Sequence, residues 1–195
     1  MKAATSERGL LVLDGEARGV SGHAARGEGV NALYIAMDDI AALRAHRFTK
    51  ISPRMGEVRL NVTQIEAGKA HNVIPDLCRF VVDIRPTEQY TNEGILQELQ
   101  ALCRSSLTAR NLANSSSATA ESSPLLAAAR SLGLEEFSSP TTSDWMRIGC
   151  DAIKMGPGDS SRSHKADEYM LTSEIEQAID IYIKYIDNFY GNTVE

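Results

Sequence analysis

Three short stretches hold side chains whose types and spacing go beyond what folding asks for. In Ser21-Gly22-His23-Ala24-Ala25-Arg26, an imidazole sits in a glycine-bearing loop between a predicted strand and a predicted helix. Because histidine titrates near neutrality, His23 could donate to a developing oxyanion or act as acid or base. A surface residue or a local cap would look the same. The second stretch, His71-Asn72-Val73-Ile74-Pro75-Asp76, is followed by Asp83-Ile84-Arg85-Pro86. Asn72 offers a donor and an acceptor, and the planar fork of Arg85 suits a carboxylate, although Asp83 or Asp76 could occupy it. The third runs from Gly156-Pro157-Gly158 through Ser163-His164 to Asp167-Glu168. Its glycines let backbone amides approach an anion. His164 is a possible zinc ligand, but one imidazole does not make a site that takes several N, O or S donors. Read alone, this stretch is a turn with a capping role.

Elements that would position these groups can be read from periodicity. A strand from Arg8 to Gly19 puts Leu11, Leu13 and Ala17 on one face, and the loop at Gly22–Gly29 leads into a helix over 30–46. Its expected apolar stripe is Val30, Leu33, Met37, Ile40 and Ala41. Val58, Leu60 and Val62 alternate with polar residues, as do Cys78, Phe80, Val82 and Ile84, which predicts two half-buried strands. Thr91 or Asn92 caps a second helix carrying Ile95, Leu96, Leu99 and Leu102, and a short strand is expected at 109–113. The order is that of a split βαβ sandwich, βαββαβ and ferredoxin-like, over residues 8–114. A Ser, Ala and Thr-rich boundary at 114–123 follows, then a helix at 124–132, a short strand at 152–155 and a long terminal helix. In that last helix Ile175, Ala178, Ile179, Tyr182, Ile183, Ile186 and Phe189 form a wide apolar face. The segment 115–195 holds too few elements to cover its own apolar faces, so a partner layer is expected.

The 195 residues and 43% hydrophobic content are enough for a real core, and the formal charge of −6 argues against a phosphate-binding surface. No apolar run approaches the roughly 20 residues of a bilayer-spanning helix, and the N-terminus lacks a signal-peptide core, so a cytoplasmic protein is the expectation. Cys78, Cys103 and Cys150 are odd in number and widely spaced, and are read as buried reduced thiols.

Taken in order, Glu7-Arg8-Gly9-Leu10, Gly22-His23-Ala24-Ala25-Arg26, His71 to Asp76, Asp83-Ile84-Arg85, Ser139 to Asp144 and Lys154 to His164 resemble the M20-type zinc metallopeptidase and deacylase family. Acetylornithine deacetylase, succinyl-diaminopimelate desuccinylase, aminoacylase and carboxypeptidase G belong to it. The likeness is greatest to the acetylornithine or acetylcitrulline deacetylase branch. It implies a lid or dimerisation domain at 8–114 and, at 115–195, the C-terminal part of a metal-binding α/β domain whose N-terminal part is absent. It also implies release of an acyl group, acetyl above all, from an N-acyl amino acid such as N-acetylornithine or N-acetylcitrulline, in a homodimer formed through the lid.

In such enzymes two zinc ions, with cobalt possible, hold a hydroxide that attacks the amide, a glutamate shuttles the proton, and a lid histidine from the partner subunit steadies the oxyanion. By position His23 would be that histidine. Asn72 and Arg85 would contact substrate, Ser143, Asp144, Gly156 and Gly158 would line the pocket, and His164 would be the last metal ligand. The family's other ligands lie before the lid and have no counterpart here, so the chain is expected to be a fragment that binds no zinc and is inactive by itself. A non-catalytic dimerisation or amino-acid-binding module is the alternative.

Overall fold

The computed structural model describes residues 1–163 and 165–191. Among these described residues ten strands and four helices follow in chain order: β1 (Lys2–Glu7), β2 (Leu11–Arg18), β3 (Gly22–His23), α1 (Ala32–Ala45), β4 (Arg59–Ala67), β5 (Val73–Ile74), β6 (Leu77–Arg85), α2 (Asn92–Gln100), β7 (Ser106–Ala109), β8 (Ser117–Ala118), α3 (Pro124–Ser131), β9 (Glu136–Ser139), β10 (Lys154–Gly156) and α4 (Thr172–Gly191). They form two compact units. Arg8–Ser116 is an inserted unit, and Met1–Glu7 with the chain after Ser117 makes a split unit.

The inserted unit has the βαββαβ order, with an antiparallel sheet running β4-β6-β2-β7. Period-two alternation puts Leu11, Leu13 and Ala17 on the same face as Cys78, Phe80, Val82 and Ile84, where α1 and α2 add Ala32, Ile35, Ala36, Leu43, Ile95 and Leu99. Phe80 is 1% exposed. Its ring lies across Gly15, where a Cβ would stand 2.3 Å from it. Thr91 caps α2 by accepting from the Gly94 N–H at 3.1 Å. Arg8, at the start of the unit, is buried and donates to the carbonyls of Glu57, Met55 and Arg85. Burial and then the charge of Arg59 lower its pKa from the ordinary arginine value.

Several boundaries differ from the periodic reading. The buried face of α1 is Ala32, Ile35, Ala36, Asp39 and Leu43, one residue out of step with the expected stripe, while Met37 and Val30 are exposed. Two causes are visible. Alanines let the helix approach the sheet, and the Asp39 carboxylate is buried because it accepts from the N–H of Arg104 and of Ser105 and from the Ser105 hydroxyl. The last strand is Ser106–Ala109, four residues earlier in its end than expected.

The split unit centres on β1, which periodicity does not reveal. Its sequence KAATSE is small and polar, yet Ala3 through Glu7 are all buried. β9 runs parallel to one edge, and β10 and β8 run antiparallel along the other. Ala3 packs with Ala128, Ala129 and Tyr185 of α3 and α4. Tyr185 donates to the Leu125 carbonyl and Tyr182 to that of Met155, each at 2.9 Å. These bonds orient α4 so that one flank faces inward. The adjacent flank, Ile175, Ile179, Ile183 and Ile186, is about half exposed. Of the three thiols only Cys78 is fully buried; Cys103 is partly covered and Cys150 exposed. No helix among the described residues is long and apolar enough to cross a membrane.

Candidate functional site

In the inserted unit, β3 and β5 form a two-stranded ribbon in which His23 pairs with Val73 and Gly22 with Ile74. The ribbon closes because Gly22 packs against the Glu28 carbonyl, where a Cβ would come within 2.3 Å. The Ala24 N–H donates to the Asn72 carbonyl at 3.0 Å, so His23 and Asn72 become neighbours although they lie 49 residues apart. Both are exposed. The His23 Nδ1 accepts from the Ala25 N–H at 3.2 Å, capping a short 3-10 turn at Ala24–Arg26. With Nδ1 accepting, the neutral ring is the Nε2–H tautomer, which leaves Nε2 as a donor on an exposed residue. His23 is therefore a cap through one nitrogen and an available hydrogen-bond donor through the other.

Arg85 is not brought to this ribbon. It ends β6, whose first residue Leu77 pairs with Arg18, so eight residues of strand separate the two ends, about 26 Å at 3.3 Å per residue. Its guanidinium forms a two-pronged pair with Asp83, Nε to Oδ1 at 2.8 Å and Nη2 to Oδ2 at 3.0 Å. Arg59 is its neighbour across the sheet. The positive charge there is balanced in part by Asp83 and stands beside a second guanidinium.

In the split unit, Gly156 and Gly158 line an open cavity of about 620 Å³ together with Lys154, Pro157, Arg162 and Tyr169. Gly158 has φ +83°, which turns the loop sharply and favours glycine. Arg162 pairs with Glu174 at 2.7 Å and lies over the Tyr169 ring. Ser143 and Asp144 do not border that cavity. Ser143 is half-buried and its Oγ accepts from the Trp145 N–H at 3.3 Å, starting a 3-10 turn over Asp144–Arg147, while Asp144 is exposed. His164 lies outside the described residues.

Sequence reasoning places Glu7 and Lys154 within matched stretches but gives neither a role. Glu7 ends β1 with no exposed surface. Its carboxylate accepts from the Ser143 N–H at 3.1 Å, the Ser143 hydroxyl at 2.7 Å and the Lys154 ammonium at 2.8 Å. Lys154 also donates to Ser139 Oγ at 2.9 Å. The signal available beforehand was one acidic residue closing a run of small residues, which has no periodic signature.

Among the described residues no three His, Cys, Asp or Glu side chains come together as a metal cluster would need. The candidate ligand His164 lies outside those residues, and no step assigned to the described residues below passes through a metal.

A sheet with two helices on one face and a histidine ribbon at its end define a class. Residues 5–110 match the peptidase dimerisation domain of M20 peptidases, and the chain belongs to that family. An acetylornithine deacetylase of Myxococcus xanthus is 27% identical over 208 residues, which cover 95% of this chain and 54% of that protein. A succinyl-diaminopimelate desuccinylase of Cereibacter sphaeroides is 28% identical over 201 residues, covering 94% and 53%. Among solved structures, the YXEP protein of Bacillus subtilis, a dinuclear metal binding peptidase from the M20 family, superposes with a TM-score of 0.68 at 13% identity over 95% of this chain and 51% of that one. The chain thus spans about half the length of the curated relatives it matches.

Proposed function

We propose that this chain supplies the lid and part of the substrate pocket of a metal-dependent amide hydrolase that releases an acyl group, acetyl in the leading case, from an N-acyl amino acid such as N-acetylornithine or N-acetylcitrulline. Zinc is the metal the family resemblance implies, two ions per complete site, with His164 as the one ligand from this chain. Support comes from the family match, from the acetylornithine deacetylase relative and from the dinuclear peptidase of like fold. When bound, the metals would supply the activated water.

The observation that carries the reading is the His23–Asn72 ribbon with Nε2 left free to donate. An Nε2–H donor is what a developing oxyanion needs, and a neutral donor placed on a rigid ribbon costs little reorganisation. Asn72 beside it adds an amide for a substrate carbonyl or amine. Arg85 would take the substrate carboxylate, exchanging Asp83 for it. Because the ribbon that carries His23 and the residue Arg85 lie at opposite ends of β6, a small substrate touching both takes them from two chains. The reading therefore requires a homodimer in which one protomer's His23 and Asn72 and the other's Arg85 contact the same substrate, and the family resemblance assigns pocket lining to Ser143, Asp144, Gly156 and Gly158.

The test is acetate release from N-acetylornithine or N-acetylcitrulline together with zinc content. The expected result is neither for the chain alone, and both after co-expression with the metal-binding half of a family member. Activity of that reconstituted enzyme should fall about 100-fold with His23→Ala. An ordinary enzymatic rate from the chain alone, or full activity with His23→Ala, would refute the assignment. The dimerisation named in the family description motivates a second reading, a dimerisation or amino-acid-binding module that does not itself catalyse. A dimer by light scattering that persists in the His23→Ala and Arg85→Ala variants, with no activity after reconstitution, would select it.

A further inference from the structure

We propose that Glu7 is a positioning residue: its buried carboxylate holds the 139–147 loop and the start of β10 in register, so that Asp144 is presented outward and Gly156–Gly158 leave the sheet at a fixed point.

Three segments far apart in sequence meet at this one side chain. Glu7 closes β1 and pairs with Ser139 across the parallel β9 edge. Its two oxygens take the Ser143 N–H and hydroxyl, and one of them also takes the Lys154 ammonium. Lys154 pairs with Ala4 on the opposite edge of β1 and reaches Ser139 Oγ, which in turn donates to the Thr141 carbonyl at 3.1 Å. A carboxylate without solvent needs hydrogen-bond donors on both oxygens, and here three donors reach it, one on Oε1 and two on Oε2. The Ser143 donors are the ones that matter for the loop. Ser143 both gives its N–H and hydroxyl to Glu7 and accepts from the Trp145 N–H, so the turn carrying Asp144 and Trp145 is suspended from Glu7 through one serine. A pair serving only to neutralise charge would need Lys154 and not Ser143.

The proposal rests on the hydrolase reading only for what the loop is held ready to do, and the loop's order can be read without catalysis. Trp145 is the single tryptophan of the chain and is 7% exposed, so acrylamide quenching of its emission reports the turn directly. The double variant Glu7→Leu, Lys154→Met removes the charge pair without stranding either partner. It is expected to melt near the wild-type temperature, yet to show red-shifted emission and at least about twofold stronger quenching, because the Ser143 donors have lost their acceptor. Glu7→Gln, which keeps one oxygen for the Ser143 N–H, should quench close to wild type.

Wild-type quenching in the double variant would overturn the proposal, since the pair would then be merely structural. Should that variant fail to fold, Glu7→Asp decides, because it keeps the charge for Lys154 and the Ser143 cap on Trp145 while drawing the carboxylate back from Ser143: stronger quenching supports the proposal and unchanged quenching overturns it. In the reconstituted enzyme the double variant should lower kcat/KM about tenfold. An inactive reconstitution would count against the hydrolase reading and leave the fluorescence result standing.

Discussion

The inserted and split units bury apolar surface to very different degrees. In the inserted unit Leu11, Leu13, Phe80, Val82, Ile84, Ile95 and Leu99 have at most 1% of their surface exposed. The split unit buries Leu126, Trp145 and Tyr185 but otherwise mainly alanines, Ala3, Ala4, Ala128, Ala129 and Ala178, and four isoleucines of α4 stand about half exposed. Each unit also buries one acid, and the two acids are satisfied differently. Asp39 is met by two backbone N–H groups and one hydroxyl, whereas Glu7 needs the ammonium of Lys154. A sheet with two amphipathic helices on one face closes by itself. A three-strand-wide sheet whose strands are short and small closes only in part, and its stability should be correspondingly less sensitive to the apolar residues it leaves outside.

The comparison is tested most severely by Phe80→Ala. Phe80 fills the space over Gly15 at the middle of the inserted sheet, so truncation leaves a cavity lined by residues that cannot collapse around it. The expected cost is about 3–5 kcal/mol by urea denaturation. A cost under about 1 kcal/mol would mean that the closed core described for this unit is not what holds it together.

Alkaline pH separates the units next. Burial, and then the charge of Asp39, push the Cys103 thiol up to about 11 from its ordinary value of 9.0 in the inserted unit. In the split unit burial, and then Asp151, push the Tyr185 hydroxyl up to about 12 from 10.0. Both groups are neutral when protonated, and the folded chain holds the proton more tightly than the unfolded one. Their contribution is therefore complete below the ordinary values and lost as pH rises toward the folded ones. Stability of the inserted unit should fall between pH 9 and about 11. The Tyr185 loss follows at higher pH. Urea midpoints from pH 8 to 11 check this, and Cys103→Ala should flatten the first decline. An unchanged slope in that variant would remove Cys103 from the account.

The two units also differ in how much could be read from residues alone. Strict alternation in Leu11–Ala17 and Cys78–Ile84 marks β2 and β6, and the helical spacing of Ile95 and Leu99 marks α2, because these elements are half-buried and burial imposes a period. β1 carries no such mark: a central strand covered on both sides and built of Ala, Thr and Ser has no polar face to alternate with. The face of α1 was misread by one position because a buried aspartate, satisfied by Arg104 and Ser105 far along the chain, looks like a surface residue in sequence. The candidate site divides in the same way. His23 and Asn72 were visible as residue types, but their adjacency comes from a two-residue ribbon too short for any pattern. The tie between Arg85 and Asp83 was one of two open readings, and the anchoring of Ser143 by Glu7 links positions 136 residues apart, beyond local spacing of any kind.

The smallest effect should come from α4. Ile183 is 55% exposed and its neighbours on the ridge, Ile179 and Ile186, are exposed to a similar degree. Replacing it by serine removes apolar surface of which the folded chain leaves more than half in water, so the free energy of unfolding should change by less than about 0.5 kcal/mol. What should change is association, since a ridge of four isoleucines is the kind of surface that seeks a cover. Ile183→Ser should reduce concentration-dependent light scattering and binding of a hydrophobic dye, with the urea midpoint held. A loss of 2 kcal/mol or more instead would show that the ridge is covered within the chain in solution, and the contrast between a closed unit and an open one would fail at its most exposed point.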